Sequence, residues 1–135
     1  MREILFRGKR IDNGEWETGS LVYARMGTSE EQASIADKMT AYHTPVIPET
    51  VGQYTGLTDK NGRKIFEGDI IHGNLGNFVV RWSDNISGFV AGEKERTHPC
   101  LNRGTMKCYE VVGNIHDNPE LLGSNIHKAE TAESE

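Results

Sequence analysis

The chain has 135 residues, 36% of them hydrophobic, and carries 15 basic against 20 acidic side chains for a formal charge of −5. That length suits one domain with a real core, and the acidic balance weakens phosphate-neutralising contact with nucleic acid. No apolar run approaches the ~20 residues of a membrane helix, and no secretory apolar stretch follows Met1. The expectation is therefore a soluble cytoplasmic protein with no membrane partner. Cys100 and Cys108 are the only cysteines, expected as two reduced thiols rather than a disulfide.

The opening "EILFRGKRIDNGEWETGSLVYA" predicts a β-hairpin. Ile4, Phe6 and Gly8 fall on one face, with Leu5, Arg7, Lys9 and Ile11 on the other. Asp12-Asn13-Gly14 supplies the turn, because Asn13 and Gly14 tolerate positive φ. Trp16 starts the return strand, and Gly19 within it suggests a bulge or bend.

Residues 25–42, "RMGTSEEQASIADKMTAY", leave two alternatives open. Ser29 with Gln32 resembles a helix capping box, followed by a narrow stripe of Ala33, Ile35, Ala36 and Met39. A loop with a short strand fits equally, and the segment reads as irregular.

In "VIPETVGQYTGLTDKNGRKIFEGDII", residues 46–71, Pro48 together with the preceding Pro45 excludes a regular central strand between them. Val51 to Tyr54 predicts a short strand ended by Gly56. Asp59-Lys60-Asn61-Gly62 is a second hairpin turn, with Asn61 and Gly62 at its centre.

From Gly68 the pattern becomes a meander of "DIIHG", "FVVRW" and "SGFVAG", separated by polar turns, and "YEVVGNI" is the last strand. Short strands at this spacing indicate a small barrel or sandwich. Residues 93–107 read as irregular. In "HDNPELLG", Asn118 suits an N-cap and Pro119 the first position of a short helical turn. Residues 1–123 are expected as a single β-rich domain and 124–135 as a flexible acidic tail.

Four constellations carry candidate chemistry. Glu67-Gly68-Asp69 with His72 nearby could divide acid and base roles if the carboxyl environments differ. The structural alternative is preferred: Gly68 forms a turn, and Asp69 accepts backbone N–H groups where a strand starts. His98, Cys100, Cys108 and His116 have ligand types suited to zinc, but no Cys-x-x-Cys spacing, so no metal or other cofactor is assigned. Neither cysteine has a nucleophile's local signature. Arg7, Lys9 and Trp16 in the first hairpin, with Arg63, Lys64 and Phe66 in the second, resemble a stacking surface for single strands. Glu15, Glu17, Asp59 and Glu67 interleave with them, and a solvated mixed-charge face is the preferred reading.

The wording and order of "FRGKRIDNGEWETGSLVY", the 46–71 segment and "YEVVGNIHDNPELL" resemble the YopX family over residues 2–122. That resemblance implies a small phage or prophage protein with an all-β fold, an irregular pseudo-barrel of folded sheets with an SH3-like small-barrel portion. It brings no catalytic residue to any position here. The functional expectation is a non-enzymatic accessory protein that binds an unidentified protein through barrel loops and edge strands, with self-association through edges as a further possibility. A single-stranded nucleic-acid-binding module is the alternative, and an enzyme using Glu67, Asp69 and His72 the third.

Overall fold

A computed structural model describes residues 2–25, 27, 30–37, 39–40, 42–92 and 101–122. The chain packs as two compact units, residues 1–56 and 57–135, whose boundary falls inside one strand. Among the described residues the fold is mostly β, with ten strands in two antiparallel sheets. The expected 124–135 tail lies outside the described residues.

In the first unit, β1 (Phe6–Lys9) and β2 (Trp16–Ala24) form the expected hairpin, with Phe6 opposite Gly19 and Lys9 opposite Trp16. No bulge interrupts the register at Gly19, where β2 passes from pairing with β1 to pairing with the next strand. A side chain there would collide with the Ala36 carbonyl, so close backbone approach explains the glycine.

The segment read as irregular contains β3 (Gln32–Ala36), in register with β2 from Ser20 to Ala24. Ala33, Ser34, Ile35 and Ala36 are all buried, so the strand shows neither a helical stripe nor a period of two. Ser29 of the expected capping box lies outside the described residues. Next come β4 (His43–Pro45), a 3-10 turn at Pro48–Thr50 and β5 (Gly52–Thr58). Pro45 sits on an edge strand and Pro48 opens the 3-10 turn, positions that need no ladder N–H. Ala33, Ile35 and Val46 form this unit's core, with Phe6, Leu21 and Val51 against it.

Gly56 does not end β5. The strand continues to Thr58 with Gly56 at φ +90°, and the two-unit boundary follows Gly56. Beyond the 59–63 turn lie β6 (Lys64–Phe66), β7 (Asp69–Gly73), β8 (Gly76–Ser83) and β9 (Gly88–Ala91). A four-residue helix, α1 (Arg103–Met106), occupies part of the stretch read as irregular. An Asn102–Thr105 capping box starts it, and Met106 anchors it by burial. The last strand, β10 (Glu110–Asn114), precedes a 3-10 turn at Pro119–Leu122. Asn118 stands just before that turn, its backbone carbonyl accepting the Leu121 N–H at 3.0 Å and its side-chain oxygen the Asn114 N–H at 3.2 Å.

The sheet orders are β4-β3-β2-β1-β5-β6 and β10-β7-β8-β9. Neither closes into a barrel, so the small-barrel portion expected from the meander is an open sheet. β10 adds beside β7 and covers Ile65, Ile71, Val80, Ala91 and Met106 with Val111. Complete burial of side chains such as Ile65 and Ile71 contributes roughly 1.5–3 kcal/mol each.

Open sheets expose edges, and each of these four edges carries a cap. At β4, Pro45 has no N–H, and its carbonyl accepts from Ile11 at 3.2 Å. At β6, the Phe66 N–H donates to Asp69 Oδ2 at 2.7 Å. At β9, the Phe89 carbonyl accepts from Leu101 at 3.1 Å. At β10, the Val111 N–H donates to Asp59 Oδ2 at 2.8 Å, and the Tyr109 carbonyl accepts from Lys60 at 3.0 Å. Caps of this kind keep edges from pairing with other chains.

Gly62 and Gly68 hold φ of +82° and +89° in the turns that set these edges. A β-branched residue there adopts a region its Cβ disfavours. Gly62→Val and Gly68→Val are each expected to cost about 2 kcal/mol in urea unfolding. An unchanged midpoint for Gly68→Val would contradict this account.

Candidate functional site

Glu67, Gly68, Asp69 and His72 surround the turn from β6 into β7. Gly68 forms the turn, donating its N–H to Val80 O at 2.8 Å and accepting from Ile115 at 2.9 Å. Asp69 is buried, and its carboxylate receives the Phe66 N–H. His72 lies three residues along β7, on the opposite face of the strand and exposed. Its Nδ1 is 2.7 Å from Asn77 Oδ1, and the Asn77 amide donates to the Leu121 carbonyl at 2.9 Å. The chain therefore sends Asp69 and His72 to different sides of the sheet, one into the β6–β7 turn and the other towards the C-terminal 3-10 turn.

A second buried carboxylate carries more backbone contacts. Asp59, only 5% exposed, accepts from Asn61 N at 2.9 Å, Arg63 N at 2.9 Å and Val111 N at 2.8 Å. The sequence reading placed it among solvated surface charges. The Asp-x-Asn-Gly turn was a signal for the two local bonds, since aspartate commonly accepts the N–H two residues on. Nothing local announced Val111, which is 52 residues away.

Burial alone pushes the Asp59 carboxyl up. The N–H groups of Val111, Arg63 and Asn61, with the Arg63 charge, outweigh it and hold the pKa below the ordinary aspartate value. Asp37, in the β3–β4 connection, is also held low, mainly by the Thr40 and Met39 N–H groups.

The structure brings part of the basic-aromatic set together. Arg7, Lys9, Trp16 and Thr18 are cross-strand neighbours on one face of the first hairpin. The Arg7 guanidinium carbon lies 4.6 Å and the Lys9 Nζ 5.9 Å from the Trp16 ring centroid. The indole thus already has cationic neighbours, a contact that holds the hairpin face together. Arg10 forms a two-point contact with Asp12 at 2.9 and 2.8 Å, and reaches Glu17 at 3.2 Å. In the second unit Arg63 and Lys64 are exposed, but Phe66 is only 7% exposed and cannot offer a ring face to a base. Phe66 therefore leaves the stacking set.

Of the metal-type residues, His98 and Cys100 lie outside the described residues. Cys108 is a free, exposed thiol, and His116 belongs to the loop after β10. Among the described residues, no group of three or more His, Cys, Asp or Glu is placed to hold a metal ion. Asn13 and Gly14 occupy the first turn, where Asn13 Oδ1 accepts the Glu15 N–H at 2.9 Å and Gly14 has φ +74°.

One surface was not singled out from the sequence. Trp82 and Phe89 face each other across β8 and β9, their ring centroids 5.2 Å apart in an edge-to-face arrangement. Trp82 stays 45% exposed, with its indole N–H on Asp84 Oδ1 at 2.8 Å, and Ile86 at the hairpin tip is 51% exposed. Ser87 closes the tip with φ +53°, a conformation few non-glycine residues adopt. Inward from this pair, Val80 and Ala91 are paired core residues, so the rings continue the core face to the hairpin's end.

A family model described as YopX protein matches residues 5–123. The crystal structure of protein EF1440 from Enterococcus faecalis has a TM-score of 0.60 to this chain at 22% sequence identity. The match covers 90% of this chain and 99% of that one. At that identity the likeness is one of fold. No functionally curated protein matches the chain.

The Asp59 geometry fixes a pH dependence. Its folded-state pKa lies below the unfolded value, so its stabilisation is complete above the unfolded pKa and is lost as pH falls through the folded one. Urea unfolding of the wild type is expected to weaken below about pH 4. Asp59→Asn should be less stable at neutral pH and show a flatter acid limb, and an unchanged limb would contradict the assignment.

Proposed function

The chain belongs to the YopX family, and from that premise we propose that it is a phage- or prophage-encoded accessory protein that acts by binding a protein partner rather than by catalysis. The observation carrying this reading is the Trp82–Phe89 pair with Ile86 at the β8–β9 tip. Half-exposed tryptophan held by a neighbouring ring and a hydrogen bond is the kind of rigid anchor on which protein interfaces concentrate their energy. The capped strand edges direct binding to side chains at hairpin tips and loops rather than to strand addition. A non-catalytic role agrees with how the carboxylates are used, since Asp69 serves the Phe66 amide and faces away from His72. The bacterial cytoplasm is the proposed compartment. Among the described residues, no helix is long and apolar enough to cross a membrane.

A nucleic-acid role rests on the Arg7–Lys9–Trp16 face alone once Phe66 is removed. Affinity capture from phage-infected cells, with and without nuclease, separates the two readings. The expected outcome is a protein partner retained after nuclease and lost with Trp82→Ala, while the circular dichroism of the variant stays wild-type. Binding of single strands at low salt, abolished by Arg7→Glu with Lys9→Glu, would replace this reading with the nucleic-acid one.

A further inference from the structure

The chain has two Asn-Gly pairs, Asn13-Gly14 and Asn61-Gly62, and both asparagines are exposed in turns. In each pair the glycine N–H is engaged alike, at 3.0 Å on the Arg10 carbonyl for Gly14 and at 3.0 Å on the Asp59 carbonyl for Gly62. The side chains differ. Asn61 extends away from its own backbone, its amide nitrogen donating to Glu110 Oε2 at 3.4 Å. Asn13 folds back instead, its Oδ1 accepting the Glu15 N–H at 2.9 Å. An asparagine oxygen bonded two residues on turns the side chain along the following peptide, which holds Asn13 Cγ beside the Gly14 nitrogen.

We propose that Asn13 is a site of spontaneous self-modification, losing its side-chain nitrogen as ammonia, and that its turn directs the reaction there rather than to Asn61. The Gly14 nitrogen gives its proton to hydroxide and attacks Asn13 Cγ. The bond from Cγ to the side-chain nitrogen breaks, ammonia leaves with a proton from water, and a five-membered imide closes. Water then opens the imide. Addition at Cγ restores the peptide with an aspartate at position 13, and addition at the backbone carbonyl leaves the chain running through the side chain as isoaspartate. Negative charge develops on Asn13 Oδ1 during the attack, where the Glu15 N–H already stands, the arrangement of an oxyanion hole. Gly14 has no side chain to obstruct the ring, and nothing but its chain neighbours lies within 4 Å of where a Cβ would sit. The product carries a formal charge of −6 in place of −5. Its new carboxylate enters a turn where Arg10 already serves Asp12 and Glu17. Isoaspartate also adds a backbone carbon to the loop that the Arg10 N–H closes on the Glu15 carbonyl at 2.8 Å. The reaction needs only water, so it is independent of the Trp82 surface and of any partner.

The test is peptide mapping by mass spectrometry of the full chain held in mildly alkaline buffer, under native conditions and in concentrated urea. In the folded chain Asn13 should convert about tenfold or more faster than Asn61, less than the full effect of a buried oxyanion donor because the turn is exposed. In urea the two pairs should convert at similar rates, because the turn that separates them is lost. Glu15→Pro removes the N–H donor and keeps the carbonyl that closes the hairpin, and it should slow Asn13 to the rate of Asn61. Asn61 converting as fast as Asn13 in the folded chain, a preference that persists in urea, or an unchanged Asn13 rate in folded Glu15→Pro would each overturn the proposal. If Glu15→Pro does not fold, the native-against-urea comparison of the wild type decides alone.

Discussion

A carboxylate taken out of water is costly unless donors replace the lost hydration, and in the second unit Asp59 meets that condition with three backbone N–H groups. Two of them belong to its own turn, and the third belongs to Val111, whose side chain lies in the core with Ile65, Ile71, Val80, Ala91 and Met106. One residue of β10 is therefore held twice, through its amide by Asp59 and through its side chain by the core. Asp69 repeats the device locally at Phe66. Since neither four-stranded nor six-stranded sheet closes on itself, these two acids do at their edges what closure would do in a barrel.

The same bonds decide what the acids are available for. Asp59, whose pKa its N–H donors hold low, is oriented by the backbone, which suits it to structure rather than proton transfer. The residues that could address another molecule are then side chains with a supported, partly exposed position. Trp82 is fixed by Phe89 and Asp84, and its cross-strand neighbourhood runs continuously into the core. Trp16, by contrast, is covered by cations from its own hairpin, so its ring already contributes to the stability of β1 and β2.

Much of this architecture was legible as local chemistry. Asn13-Gly14 and Asn61-Gly62 specify turns because their backbone angles are demanded within four residues, and the meander strands from Asp69 to Ala91 emerge from apolar runs between such turns. β3 was not legible. "QASIA" is short, and with both faces covered it loses the alternation that marks a half-buried strand. The α1 turn was hidden for a related reason: its capping pair, Asn102 and Thr105, is readable, but four residues carry no periodicity and only Met106 burial fixes them. At the candidate sites the misreadings were of burial. Asp59 and Phe66 stand in polar, charged wording, and whether water reaches them depends on strands far along the chain.

The sequence by itself determined the class and the family, because turn residues and apolar runs act over a few positions and their order is a direct signature. It also set Gly68 and Asp69 as a turn leading into a strand. The tertiary structure decided which edges are closed, that β10 inserts beside β7, and that an aspartate 52 residues earlier caps it. It also decided that Trp82 rather than Phe66 keeps an exposed ring. Those outcomes rest on non-local pairing, in which each strand's neighbour is set by the core it covers and not by the residues beside it in the chain.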